Sequence, residues 1–165
     1  LKRESRFAVV DASDTGAPLS FDDVWRYAVE LKPDLLVIDG LHLLAGNDPK
    51  KSGWEVLKEG SASLKALAQQ ERLVVLAAHQ PDRSAARRKE MLVPPGLSQV
   101  GYGFGVVESA NRVISLSRSP YDDQQRLFAV LKLRGARDIN RHRVLHFDPD
   151  VGAIYELDVE APSDF

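Results

Sequence analysis

Apolar positions along the chain change their period, and the change divides it into two halves. Residues 6–11 form a short apolar run ahead of the turn-prone stretch Asp11-Ala12-Ser13-Asp14-Thr15-Gly16, which predicts a strand and then a turn. Ser20 can cap a helix, Asp22 and Asp23 fall in its first turn, and Phe21, Val24, Trp25, Ala28 and Leu31 recur every three or four residues. Lys32-Pro33 stops that helix. Residues 35–38 are apolar without alternation, as in a strand covered on both faces, and the run ends at Asp39-Gly40. After a polar loop over residues 46–53, the longest helix is predicted over residues 54–71. Val56, Leu57, Leu64, Leu67 and Ala68 lie on one side of it, and Gly60 weakens its middle. Residues 73–78 read as another buried strand.

Strand, helix, strand, helix, strand with short links is the order of βαβ crossovers in a parallel sheet. The stretch 81–105 breaks that order with Pro94-Pro95-Gly96 and with Gly101-Tyr102-Gly103-Phe104-Gly105, and irregular segments of such length are usually functional or disordered. Strands are predicted again over residues 112–116, 126–133 and 143–147, and a last one over 152–157 comes after the Asp148-Pro149-Asp150 turn. The expected fold is α/β, a mainly parallel sheet flanked by helices, with antiparallel strands added at the C-terminal end.

A length of 165 residues fits one domain, and 44% hydrophobic with 28% charged residues is ordinary globular composition. The absence of Cys excludes disulfides, thiolate metal sites and a thiol nucleophile. No apolar run approaches the ~20 residues that span a bilayer, so no membrane role is expected. The first residues, Leu1-Lys2-Arg3-Glu4-Ser5, have no initiating Met and no apolar segment behind them, and they read as the cut end of a longer chain. Net charge is only −2, but its distribution is uneven. Asp11, Asp14, Asp22, Asp23, Glu30 and Asp34 dominate the early part. Arg83, Arg87, Arg88 and Lys89 crowd one later segment, and Lys132, Arg134, Arg137, Arg141 and Arg143 another. Each basic cluster can neutralise phosphates or simply form a solvated surface.

Several positions can carry chemistry. Asp39 ends an apolar strand, where open α/β sheets bind ligands and where nucleoside triphosphatases place a Mg²⁺ carboxylate; its bland alternative is a strand-ending Asp before a turn glycine. His79-Gln80 ends the next strand and can sense a phosphate or polarise a water. Lys132-Leu133-Arg134 puts two cations on one face of a strand end, within reach of a phosphate, or as plain edge-strand cations. Tyr102 and Phe104 among glycines can stack bases while residues 83–89 track a nucleic-acid backbone, or they tuck onto the core. A phosphate-cradling loop is missing: Gly46-Asn47-Asp48-Pro49-Lys50-Lys51-Ser52 lacks the second glycine and comes after the wrong strand. Hydrolase-elbow, zincin and dinucleotide motifs are also missing. His142 and His146, four apart on a predicted strand, read as surface or packing residues.

Taken in order, the chain resembles the second half of a RecA-like motor core, specifically the C-terminal domain of DnaB-type replicative helicases. The resemblance is carried by Ser20-Phe21-Asp22-Asp23-Val24 and by residues 33–44, similar to the Walker B strand and the segment after it. Ser63-Leu64-Lys65-Ala66-Leu67-Ala68, Gln80 with Arg83, residues 108–114 and Lys132-Leu133-Arg134-Gly135 continue it, over roughly residues 7–157. It implies that Asp39 holds Mg²⁺ of an ATP complex and that Gln80, beside His79, couples phosphate to DNA. Lys132 and Arg134 would reach an adjacent subunit's nucleotide. Arg83, Arg87, Arg88, Lys89, Tyr102 and Phe104 would face single-stranded or forked DNA. His79 stands where Ser is usual, and Arg112 where an acid is common. The Walker A loop and the catalytic Glu after it would lie upstream, so this stretch alone is expected to hydrolyse ATP poorly. The complete protein is expected to form a ring or filament in the cytoplasm, at the nucleoid or in a phage-infected bacterium. Two rivals remain: a metal-dependent DNA nuclease on a RecA-like scaffold, with Asp39 as metal ligand, and a non-catalytic DNA-binding relative.

Overall fold

A computed structural model describes residues 7–46, 48–81, 94–100, 104–135 and 142–158, which fall into two compact units, one ending at Ala78 and one starting at His79. The first unit opens with α1 (Ala12–Thr15) and α2 (Phe21–Leu31), then β1 (Leu35–Ile38), a 3₁₀ turn (Leu41–Leu43), α3 (Gly53–Gln70) and β2 (Val74–Ala77). The strand expected over residues 6–11 does not form: residues 7–10 carry no regular structure, and Phe7 and Val9 are exposed. Among the described residues no strand pairs with them, while Asp11 starts a helical turn in place of the expected loop. The Asp11 carboxylate accepts from Ser13 N at 2.7 Å, Asp14 bonds back to Asp11 N at 2.8 Å, and Gly16 at φ 69° closes the turn.

α2 begins as its sequence predicts. Ser20 Oγ accepts from Asp23 N at 3.1 Å and Asp23 returns a bond to Ser20 N at 3.0 Å, a reciprocal cap that satisfies two end donors. The Ser20 hydroxyl also donates to the Asp23 carboxylate at 2.6 Å, and this bond first, then the one from Ser20 N, holds the Asp23 carboxyl below its ordinary value. Lys32 ends the helix in the left-handed region, φ 47°, since Pro33 disfavours a helical residue before it. α3 carries a matching Ser52/Glu55 cap, which likewise lowers the Glu55 carboxyl.

α2 packs on α3, and α3 on β2. Phe21, Val24 and Ala28 of α2 are buried, with Leu57, Leu64 and Leu67 of α3, Ile38, Leu41 and Leu73. Gly60 has a packing role: a Cβ there would collide with the Phe21 ring. β1 and β2 run parallel in the register Leu35↔Val74 to Ile38↔Ala77. Burial of both faces is not observed: Leu35 (53%), Val37 (58%), Val74 (63%) and Leu76 (56%) share one face and are all exposed. Strand composition records the capacity for two-sided cover, whereas the described helices of this unit lay a single layer over the strands.

The second unit holds a four-stranded antiparallel sheet in the order β3 (Arg112–Arg118), β4 (Gln125–Leu133), β5 (His142–Asp148), β6 (Ala153–Leu157). The expected C-terminal antiparallel strands are therefore present, with ends moved by one or two residues. Ahead of them, a bridge joins Pro81 to Val100, and Leu97–Gln99 forms a 3₁₀ turn. Residues 104–109, expected to begin in a loop, form the short helix α4 (Phe104–Ser109). Val107, Leu127, Ala129 and Ser115 are buried. On the outer face Arg126 lies over the Phe147 ring, 4.7 Å from its centroid, and Arg143 pairs with Glu156 at 2.5 Å.

Candidate functional site

Asp39 stands exposed at the carboxyl end of β1, directly after buried Ile38. The ends of β1 and β2 are tied by Ala78, whose N–H donates to Ile38 O at 2.9 Å and whose carbonyl accepts from Leu41 N at 2.7 Å. The Asp39–Gly40 peptide is cis. A Cβ at Gly40 would come within 2.9 Å of the His42 ring and 3.6 Å of Ala78 O, so glycine allows this close approach. Parallel strands thus present a carboxylate at the edge where α/β sheets bind ligands.

Among the described residues no three His, Cys, Asp or Glu side chains gather into a metal site. Magnesium in nucleotide sites is held by one or two carboxylates, with phosphate oxygens and water completing its shell. A lone exposed Asp39 therefore fits as its protein ligand, and the ion would neutralise charge on the phosphates. A two-metal cluster would need further carboxylates.

His79 and Gln80 are the first residues of the second unit, His79 half-buried and Gln80 exposed. Lys132 and Arg134 do come together, and their meeting point is the end of α4. Lys132 Nζ donates to the carbonyl of Val107 at 2.5 Å and of Glu108 at 3.2 Å, and Arg134 Nη2 donates to Glu108 O at 3.3 Å. Arg134 N–H donates to Asn111 O at 2.9 Å, fixing the strand end there by backbone as well. A register shift between Val113 and Ile114 falls at the same end, where Val113 faces Lys132. The last carbonyls of a helix lack intrahelical partners and carry the negative end of its dipole, so two cations from β4 suit them.

The carbonyls of Val107 and Glu108 are partners of Lys132 and Arg134 that sequence reading missed. Glycines at 101, 103 and 105 mark the segment as loop, and nothing local signals a helix capped by side chains 24–26 residues later. Phe104 opens α4. Arg83, Arg87, Arg88, Lys89 and Tyr102 lie outside the described residues. His146 stacks on Tyr155 with ring centroids 4.6 Å apart. No described helix is long and apolar enough to cross a membrane.

No protein-family model matches the chain, and no curated protein matches it in sequence. Its fold does match solved structures. One is described as a DnaB-like replicative helicase and its interactions with primase, at TM-score 0.73 and 22% identity, covering 85% of this chain and 35% of that one. Another is the ATPase domain of G40P, at TM-score 0.73 and 22% identity, covering 85% of this chain and 52% of that one. The chain has the RecA-like α/β fold of DnaB-type helicase domains and spans about a third to a half of these neighbours' length.

Proposed function

We propose that this chain is the Walker B-bearing, C-terminal part of a single RecA-like domain in a DNA-dependent ATPase of helicase type. It acts on single-stranded or forked DNA in replication or recombination, in the cytoplasm and as a ring or filament. The observation that carries this reading is the fold match over 85% of the chain. In it Asp39 holds the Mg²⁺ of ATP, His79 and Gln80 sit beside the phosphates, and Lys132 with Arg134 reaches a neighbouring subunit's nucleotide. Arg83, Arg87, Arg88, Lys89, Tyr102 and Phe104 track and stack the DNA strand.

The test is strand separation on a labelled fork by the full-length protein, resolved on native and denaturing gels with and without ATP and Mg²⁺. ATP-dependent separation that is lost in Asp39→Asn is the expected result. Shortened strands without ATP would replace this reading with a nuclease, and DNA binding with neither activity would leave a non-catalytic relative. Arg87→Ala with Arg88→Ala is expected to weaken single-strand binding and lower its salt slope by ~2. An unchanged slope removes the DNA role of that segment.

A further inference from the structure

The two cations that the proposed function assigns to phosphate are engaged on peptide carbonyls. Lys132 and Arg134 converge on Val107 O and Glu108 O, with Glu108 O shared between them at 3.2 and 3.3 Å. These are carbonyls at the end of a helix only six residues long. Such a helix has too few internal bonds to hold itself, and its order comes from what grips it. Val107 anchors it in the core, while its last turn is gripped by these cations.

We propose that Lys132 and Arg134 form an exchangeable latch on the C-terminal turn of α4, closed on Val107 O and Glu108 O and opened when a polyphosphate takes the cations. The chemistry gives the exchange its direction. A carbonyl is a neutral acceptor, whereas a phosphate oxygen carries charge and makes shorter, stronger bonds with ammonium and guanidinium groups. The backbone permits the exchange to stay local. The Arg134 N–H to Asn111 O bond and the Arg112↔Leu133 pairing hold the strand end in place while the two side chains leave. Phosphate binding is thereby converted into loosening of α4, the segment that leads into β3. This inference rests on the phosphate role proposed above, and the two can fail separately.

The experiment is hydrogen exchange of residues 104–111 in the full chain, titrated with inorganic tripolyphosphate, whose binding is monitored independently by ³¹P line broadening. The expected result is exchange that rises by roughly tenfold as tripolyphosphate binds. Lys132→Met should exchange fast from the start and respond little, while Lys132→Arg, which keeps the donors, should restore protection. Circular dichroism on each variant separates a local change from global unfolding. Tripolyphosphate that binds without loosening 104–111 overturns the latch and leaves the phosphate role standing. No binding overturns the latch, while the role toward a neighbouring subunit's nucleotide is judged by the fork assay. A Lys132→Met chain that is folded and as protected as the parent overturns the latch by itself.

Discussion

The two units are held by different kinds of interaction. In the first, α2 and α3 are each started by a cap whose partners lie three residues apart, Ser20/Asp23 and Ser52/Glu55, and the helices meet through close packing of Phe21 on Gly60. In the second, a short helix is completed by side chains 24–26 residues further on, and the sheet carries cations toward backbone carbonyls. The first arrangement is local, each cap joining residues three apart and the Phe21 ring filling the space left by Gly60. The second is convertible because its cations can leave for a stronger acceptor. Here the two arrangements fall in separate stretches of chain.

The largest effect should come from the first unit's packing. Phe21→Ala is expected to cost ~3–4 kcal/mol and Gly60→Ala ~2 kcal/mol in urea unfolding, the first by an unfilled cavity and the second by overpacking. The Gly60→Ala loss should shrink when Phe21 is already Ala, because the collision is gone. Next is Lys132→Met, at ~1.5–3 kcal/mol for losing charged donors to two carbonyls. Its loss of amide protection should be confined to the second unit, as that of Phe21→Ala is to the first. If both variants loosen every amide equally, the units unfold together and the contrast fails.

Ser20→Ala should cost ~1 kcal/mol, measured by thermal unfolding at neutral pH. Its pH dependence has a defined sign. Asp23 titrates below its ordinary value of 3.8 in the folded chain, so its contribution is present above that value and is lost as the pH falls through the lowered one. Removing the Ser20 hydroxyl, the main cause, should flatten the acid side of the stability profile. The smallest effect belongs to Glu156→Gln. Its pair with Arg143 is exposed on both sides, 43% for the arginine and 58% for the glutamate, so a change above ~0.5 kcal/mol in urea unfolding would contradict a surface role.

These differences explain what was readable in the sequence. The Ser20 cap, the period of α2 and α3, the two apolar strands and the four later strands are local signals, and the structure contains all of them. The strand expected over residues 6–11 fails because a strand needs a neighbour, and apolar composition does not provide one. α4 escaped for the converse reason: its stabilising groups, Lys132 and Arg134, are remote in the chain, so its own glycines dominated the reading. The position of Asp39 at a strand end was legible because strand length fixes where the carboxylate falls. Nothing in the spacing of Lys132 and Arg134 indicated that backbone carbonyls would be their partners within this chain.

The contact of Phe21 with Gly60 also bears on how this sequence can drift. The ring occupies the space that a side chain at 60 would need, so the two positions form one unit of substitution. Among descendants of this sequence, a larger residue at 60 should survive only alongside a smaller one at 21. An aromatic at 21 should tie its lineage to glycine in the middle of a helix, the residue that helix propensity alone would have selected against.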